Sequence, residues 1–316
     1  MKINQNVQWV ILSVIILATG LYLSRNSQVL DTLNNLTTLY IFLLFALLLG
    51  SFLFLAYQFR ILMYFFGIKL TVREWFGLTI CNTMYSYLVP TVGGMWLRAF
   101  YLKKKHDFLY THYASLVLGS FLLMYANACV LGILTVGLDN GFSGESHWLY
   151  LAIFPSLGLL PIAGWLLLRI MDKVSFRPNS EKLNKILNDF QHGMKAFREK
   201  PSLMWHYLVF NAGFIVFNGL SYAICLHGLG ATDVTFLSSI GVMALTSYSK
   251  VISLTPGNLG IREMIMTLSC HYLGVSFDVA LLAACVNRAA SMIITFILGI
   301  IYSKILMNDV SKAETA

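Results

Sequence analysis

Four charged residues, Lys250, Arg262, Glu263 and Arg288, stand in stretches of the sequence that are otherwise apolar. A charged side chain at the centre of a bilayer costs at least about 2.5–3.5 kcal/mol on insertion scales, so it persists only when it is paired, hydrated or functional. Glu263 can neutralise one of the three cations, which leaves an excess of positive charge. Because arginine and lysine bind phosphate through charge-assisted hydrogen bonds, the pattern predicts a buried site for an anionic group.

The composition predicts that the elements around these charges are membrane-spanning helices. Hydrophobic residues make up 58% of the 316 positions and charged residues only 11%. The apolar runs approach the length of about 20 residues that a helix needs to cross a bilayer, and they are apolar on every face. We therefore predict an all-α polytopic membrane protein with about six full spans, at residues 7–23, 39–57, 112–138, 148–168, 204–227 and 279–303.

The distribution of basic residues predicts the orientation of the chain. With both termini in the cytoplasm, 18 of the 22 lysines and arginines fall on the cytoplasmic side, including Arg60, Arg98 and the run 103–105. This asymmetry follows the positive-inside rule. The net charge of +8 is therefore attributed to a basic rim near anionic headgroups and gives no indication of nucleic-acid binding. Arg98 is expected at the cytoplasmic mouth of the protein.

Two further apolar stretches, 76–96 and 236–274, are interrupted by proline and glycine. Their sequences "TVGGMWLR" and "TPGNLGIR" align without a gap, so that Arg98 matches Arg262. Paired, broken segments in two halves are typical of inverted-repeat transporters with a site at the repeat interface. We predict one membrane domain, 1–316, with halves at 39–138 and 204–303. The predicted hairpin breaks are Pro90, Gly93, Gly94, Pro256, Gly257 and Gly260.

Each broken stretch is predicted to form a re-entrant helical hairpin that reaches the middle of the bilayer from one face. In the second hairpin a helix is expected to begin near Asn258, with free backbone N–H groups that favour phosphate. Since Glu263 points about 100° around that helix from its neighbour, it is expected to pair with Lys250 or Arg288. The alternative is that 236–254 and 257–274 are two short spans joined by an ordinary turn.

Three blocks resemble a known family: "YSYLVPTVGGMWLRAFYLKKK", "SKVISLTPGNLGIREMIM" and "AACVNRAASMIITFILG". They look like the lysylphosphatidylglycerol synthase transmembrane region, also called the flippase-like membrane domain family, and the resemblance covers essentially the whole chain. It implies a lipid flippase associated with anionic phospholipids or polyprenyl-linked glycans. The residues that match the family's motifs are Pro90, Gly94, Arg98, Pro256, Gly257, Gly260, Arg262, Glu263 and Arg288.

The chain departs from the family pattern in two places. Met95 stands where an acidic residue usually follows the second glycine of the first block, which puts a proton or cation relay at that position in doubt. The chain stops at Ala316, so the soluble domain of the lysyl-transferring members is not expected. No catalytic residues, cofactor or metal site are predicted. The five cysteines are isolated in apolar segments and are interpreted as core residues.

The leading hypothesis is a transporter of an anionic, phosphate-bearing lipid or lipid-linked glycan precursor, in a bacterial-type inner membrane. The site would use Arg262, Glu263, Arg288, Lys250 and Arg98. Aromatic residues could line an acyl path or simply pack, namely Tyr85, Tyr87, Trp96 and Tyr248.

Two other classes of function remain open. One is a membrane scaffold that binds a cell-envelope glycan enzyme through residues 170–202, where the apolar spacing of 180–197 predicts an amphipathic helix. The other is an enzyme that uses Glu263 with His271 or His227.

Overall fold

The computed structural model describes residues 31–89, 93–139, 145–173, 184, 188–189, 191, 195, 199–252 and 255–315. Across these ranges the protein is all-α, as the sequence predicts. Three predicted features lie wholly or largely outside the described residues: the first span at 7–23, the break at Pro90, and the amphipathic connector within 170–202.

The described helices are numbered in chain order. They are α1 Thr38–Phe65, α2 Val72–Leu88, α3 Gly93–His106, α4 Tyr110–Leu138, α5 Glu145–Lys173, α6 Pro201–Gly228, α7 Phe236–Thr246, α8 Ile261–Tyr272 and α9 Phe277–Thr315. Short 3-10 segments, Ser247–Ile252 and Pro256–Asn258, connect α7 to α8.

Five of the described helices are long and apolar enough to cross a bilayer: α1, α4, α5, α6 and α9. They coincide with five of the six predicted spans. The structure extends several of them, because α1 continues through Arg60 to Phe65 and α9 continues to Thr315. Arg60 lies in the last two turns of α1, where its guanidinium covers the rings of Tyr57 and Tyr64, and its position on the cytoplasmic side stays a prediction.

The first interrupted stretch forms two helical arms, α2 and α3, and is longer at both ends than the predicted 76–96. Glu74 joins the outer ends of the two arms. Its carboxylate accepts hydrogen bonds from the backbone and hydroxyl of Thr71 at the start of α2, and from the Tyr101 hydroxyl in α3. His106 and Lys105, at the end of α3, lie 2.9 and 3.3 Å from the same carboxylate.

The surroundings of Glu74 keep this buried carboxylate ionised. Burial alone raises the pKa of Glu74, but the hydrogen bonds from His106 and Thr71 and the charge of Lys105 outweigh it and hold the pKa below its ordinary value. The ionised group therefore stabilises the hairpin at neutral pH. That contribution is lost as the pH falls below the ordinary glutamate value.

The second interrupted stretch is also divided into arms. The helices α7 and α8 have 11 and 12 residues, so each is about 17 Å long at 1.5 Å per residue, roughly half the thickness of a hydrocarbon core. Asp139, at the end of α4, accepts hydrogen bonds from the hydroxyls of Thr235 and Ser238 and so holds the start of α7. Whether the arms return to the same membrane face stays a prediction.

The two predicted halves contain the same succession of helices. The alignment that matches Arg98 with Arg262 also places the starts of α1, α2, α3 and α4 close to those of α6, α7, α8 and α9. The packing of the helices follows the same correspondence. The matched helices α1 and α6 pack against each other. The helix α2 packs on α9, and in the same way α7, which matches α2, packs on α4, which matches α9. The division of the chain into two repeat halves, and the inverted orientation of those halves, stay predictions.

Replacing Glu74 with glutamine is expected to lower the free energy of unfolding by about 2 kcal/mol, because the charge-assisted hydrogen bonds between the arms are weakened. Thermal unfolding of the purified protein in detergent measures the change. The matched control is Asp107→Asn: the Asp107 side chain is 90% exposed in its ion pair with Lys103, so little change is expected. The difference between wild type and Glu74→Gln should shrink below pH 4.5. A difference that is constant down to pH 3 would contradict this role.

Candidate functional site

The second hairpin is broken by a turn that requires unusual backbone angles. After Pro256, both Gly257 and Asn258 have positive φ, at 57° and 60°, and Gly260 has φ of 86°. Glycine, and to a lesser degree asparagine, tolerates this region of backbone space. The following helix therefore begins at Ile261 and not near Asn258 as expected, because the turn continues through Gly260.

Glu263 caps the start of α8. Its Oε2 accepts a hydrogen bond of 2.7 Å from the backbone N–H of Gly260. The N–H group of Gly260 at this end of the helix is therefore committed within the protein and is not among the free N–H groups expected there. The other carboxylate oxygen, Oε1, lies 3.5 Å from Nε of Arg288. The predicted pairing of Glu263 with Arg288 is thus found in the structure.

Arg288 connects α9 to both hairpins. Its Nη2 donates to the carbonyl oxygen of Gly257, and its guanidinium lies over the ring of Tyr87 in α2, 4.7 Å from the ring centroid. Both Arg288 and Glu263 are only 7% exposed. Their facing atoms, Nε and Oε1, are buried and have no hydrogen-bond partner among the described residues. The pair is therefore close but incompletely satisfied.

Arg262 and Lys250 have weaker partners than Arg288. Among the described residues, the hydrogen-bond partner of the Arg262 guanidinium is the thioether sulfur of Met243, at 4.0 Å. The ammonium of Lys250 lies 3.4 Å from the sulfur of Met124 and 5.8 Å from the centroid of the Phe214 ring. Within the part of the chain that the structure describes, no carboxylate forms an ion pair with either cation.

Arg98 is directed to partners inside the protein, and its position at the cytoplasmic mouth stays a prediction. Its Nε donates to the carbonyl oxygen of Leu78 at 3.2 Å, and its Nη2 donates to the hydroxyl of Thr79 at 3.0 Å. The guanidinium also lies 4.0 Å from the ring centroid of Phe59 in α1. Since α3 folds back on α2, this arginine is directed into the interior.

All four cations line one cavity of about 370 Å³, which is within the range of small-molecule sites. Its wall is formed by both hairpins together with α1, α4, α6 and α9. The described lining residues include no carboxylate. The basic residues in the wall are Arg98, Lys250, Arg262 and Arg288. Tertiary structure therefore brings together cations that lie in opposite halves of the sequence.

Two asparagines belong to this cavity although sequence reasoning assigned them no role. Asn82 and Asn258 both line it, and the side-chain oxygen of each is buried without a hydrogen-bond partner among the described residues. The amide nitrogen of Asn258 donates to the carbonyl of Ser249 at 2.8 Å, which fixes the orientation of that side chain. For Asn258 the sequence did carry a signal, because an asparagine inside the broken motif is typical of a position with positive φ.

Other suggested residues are distributed differently. Of the four aromatic candidates, Tyr87 lines the cavity, whereas Tyr248 is buried with its hydroxyl on the carbonyl of Tyr125, and Trp96 is 65% exposed. Tyr85 contacts Ser303 at 3.4 Å. The histidines proposed for an enzyme do not line the cavity: His227 and His271 each contact a backbone carbonyl near their own helix ends, those of Val234 and Val275.

The fold and this site define a multi-pass, all-helical membrane protein with a cationic cavity between two broken helical hairpins. The chain belongs to the lysylphosphatidylglycerol synthase transmembrane region family, whose model matches residues 10–299. The resemblance seen in the motifs is thereby confirmed. The chain is also similar to the UPF0104 membrane protein MJ1595 of Methanocaldococcus jannaschii, with 22% identity over 344 residues that cover 99% of this chain and 98% of the relative.

Gly94 allows the first hairpin to close beside the cavity, because a Cβ atom there would lie 1.9 Å from the backbone oxygen of Asn82. Gly94→Ala is expected to lower the free energy of unfolding by about 2 kcal/mol, a typical cost of overpacking. Gly137→Ala is the matched control, since a Cβ atom there would have no neighbour within 4 Å. Thermal unfolding should show a loss for the first variant only. Equal stability of both variants would mean that the arms are not packed this closely.

Proposed function

We propose that this protein binds the phosphate of an anionic lipid headgroup in the cavity between its hairpins and moves that headgroup across the membrane. The observation that carries the proposal is the charge of the cavity wall. Four cations line it, the described lining includes no carboxylate, and Glu263 pairs with one of the four.

An anionic ligand would relieve an electrostatic cost within the helical bundle. Charges away from bulk water are destabilising unless opposite charges and hydrogen bonds compensate them. Arg262 and Lys250 each face a thioether sulfur, which is a weak acceptor, and the ring of Phe214 near Lys250 supplies no negative charge. A phosphate offers several strong acceptor oxygens and could bind an arginine through two parallel hydrogen bonds. The site chemistry thus favours a phosphate over a neutral ligand.

The surroundings favour a lipid as the source of the phosphate. The cavity wall combines the cations with apolar and aromatic residues, including Leu62, Phe121 and Met124. A headgroup could occupy the charged part while acyl chains remain beside the apolar helices. The membrane-lipid character of the family is consistent with this arrangement. Free inorganic phosphate shares the same chemistry and is the alternative ligand that binding experiments must separate.

The broken hairpins provide a structural basis for movement. Gly94 in the first interrupted stretch and Gly257 in the second both line the cavity, and each stretch is divided into shorter helices that could tilt separately. We propose that the arms close the cavity alternately toward the two faces, with both termini in the cytoplasm of a bacterial-type cell. A non-enzymatic role follows from this proposal. Binding to a glycan-assembly enzyme would be an additional property of the same protein.

Arg262→Gln and Arg288→Gln are each expected to reduce lipid movement at least tenfold, because each removes a guanidinium from the cavity wall. The assay follows a fluorescent phosphatidic acid in vesicles that contain the purified protein. Lys103→Gln is the matched control, as this lysine belongs to an exposed ion pair, and its rate should stay within twofold of wild type.

Binding measurements separate the remaining possibilities. The wild-type protein in detergent should bind short-chain phosphatidic acid more tightly than inorganic phosphate, and both arginine variants should lose affinity for the lipid. Tighter binding of inorganic phosphate would contradict a lipid ligand. Well-folded arginine variants with normal lipid movement would contradict the anion site and leave a scaffold as the better description.

A further inference from the structure

Arg98 and Arg262 occupy equivalent positions in the two halves. The alignment of the two broken motifs matches them, and each lies in the second arm of its hairpin. Each guanidinium reaches back to the first arm: Arg98 reaches Thr79, and Arg262 reaches Met243. Continued backwards, the same alignment matches Thr79 with Met243. The two contacts are therefore counterparts, and they differ mainly in the atom that faces the arginine.

In the first half this atom is oxygen. The hydroxyl of Thr79 donates to the carbonyl of Trp75 at 2.8 Å and accepts from Arg98 at 3.0 Å. Arg98 also donates to the carbonyl of Leu78 and is covered by the Phe59 ring. An arginine held in this way has committed donors on two sides. A ligand that bound it through those donors would first have to replace these bonds.

In the second half the facing atom is a thioether sulfur. Met243 is 4% exposed, and its sulfur lies 4.0 Å from Nη2 of Arg262. A thioether is a weak acceptor, so it occupies the position without competing strongly for the guanidinium donors. Among the described residues Arg262 has no oxygen acceptor. Arg262, Lys250 and Met243 also line a small cavity of about 60 Å³ that shares both cations with the larger one.

We propose that Met243 is a specificity-determining residue that keeps the donors of Arg262 available for the anion. It acts by placing sulfur where the other half places a hydroxyl. The anion subsite accordingly lies on the second hairpin, while Arg98 adds positive charge to the wall and holds its own hairpin together. This inference rests on the proposed function, because it requires that Arg262 binds a phosphate.

The test introduces into the second half the hydroxyl that the first half carries. In Met243→Thr the new hydroxyl can donate to the carbonyl four residues earlier, as Thr79 does, and accept from Arg262. Met243→Val is the matched control, since valine has the same shape as threonine and the same loss of volume relative to methionine. The probe is short-chain phosphatidic acid, added to the purified protein in detergent and followed by calorimetry.

Met243→Thr is expected to bind the probe about tenfold more weakly than Met243→Val, equivalent to about 1.4 kcal/mol. Such a change is comparable to one hydrogen bond to a charged group. The two variants should unfold at similar temperatures, because their packing is matched. In an Arg262→Gln background, Met243→Thr and Met243→Val should bind the probe equally, since the arginine on which the hydroxyl acts is absent.

Two negative results have different meanings. If Arg262→Gln weakens binding but the threonine and valine variants bind alike, Met243 does not control the arginine and this inference is overturned. If Arg262→Gln leaves binding unchanged, the anion site itself is wrong. A threonine effect that persists without Arg262 would also overturn the inference, because the hydroxyl would then act through another group.

Discussion

Positive charge inside an apolar helical bundle is the constraint on which this structure depends. Arg288 illustrates how the protein satisfies it: one guanidinium binds the carbonyl at the break of the second hairpin, faces Glu263 in α8, and covers Tyr87 in the first hairpin. These contacts connect α9 to both hairpins. Because such partners are worth most where water is excluded, the position of this arginine constrains the turn, the helix start and the packing of the arms.

The broken backbone is a consequence of the same constraint. An uninterrupted helix would use the carbonyl of Gly257 within its own hydrogen-bond ladder, whereas the turn directs that carbonyl to Arg288. The turn is possible because glycine and asparagine accept positive φ at three positions. Irregular backbone of this kind is tolerated at membrane depth where it borders a polar cavity, and the cavity between the hairpins meets that condition.

Similarity between the halves makes their differences informative. Both hairpins start at a threonine held by an acidic residue: Glu74 of the same helix in the first half, and Asp139 at the end of α4 in the second. Both carry an arginine that reaches the first arm. The arginine of the first half has oxygen partners and that of the second half has a sulfur atom. The matched arginines of the two halves are therefore surrounded by different atoms.

The sequence by itself was enough to predict the helical membrane class, the five spans that the structure describes, the two interrupted stretches and the family. Long apolar runs, proline and glycine act locally, so their effects can be read without knowledge of distant contacts. The buried charges of Lys250, Arg262 and Arg288 were also recognisable, because a charge is costly in any apolar run. Only the tertiary structure decided which of the two candidate cations Glu263 faces, that the same glutamate caps α8, and that Asn82 and Asn258 belong to the cavity wall with Arg98 and the other cations. Those relations depend on how α3 folds onto α2 and how α9 packs between the hairpins. Such packing is set by side-chain contacts between distant segments, which no local pattern of residues specifies.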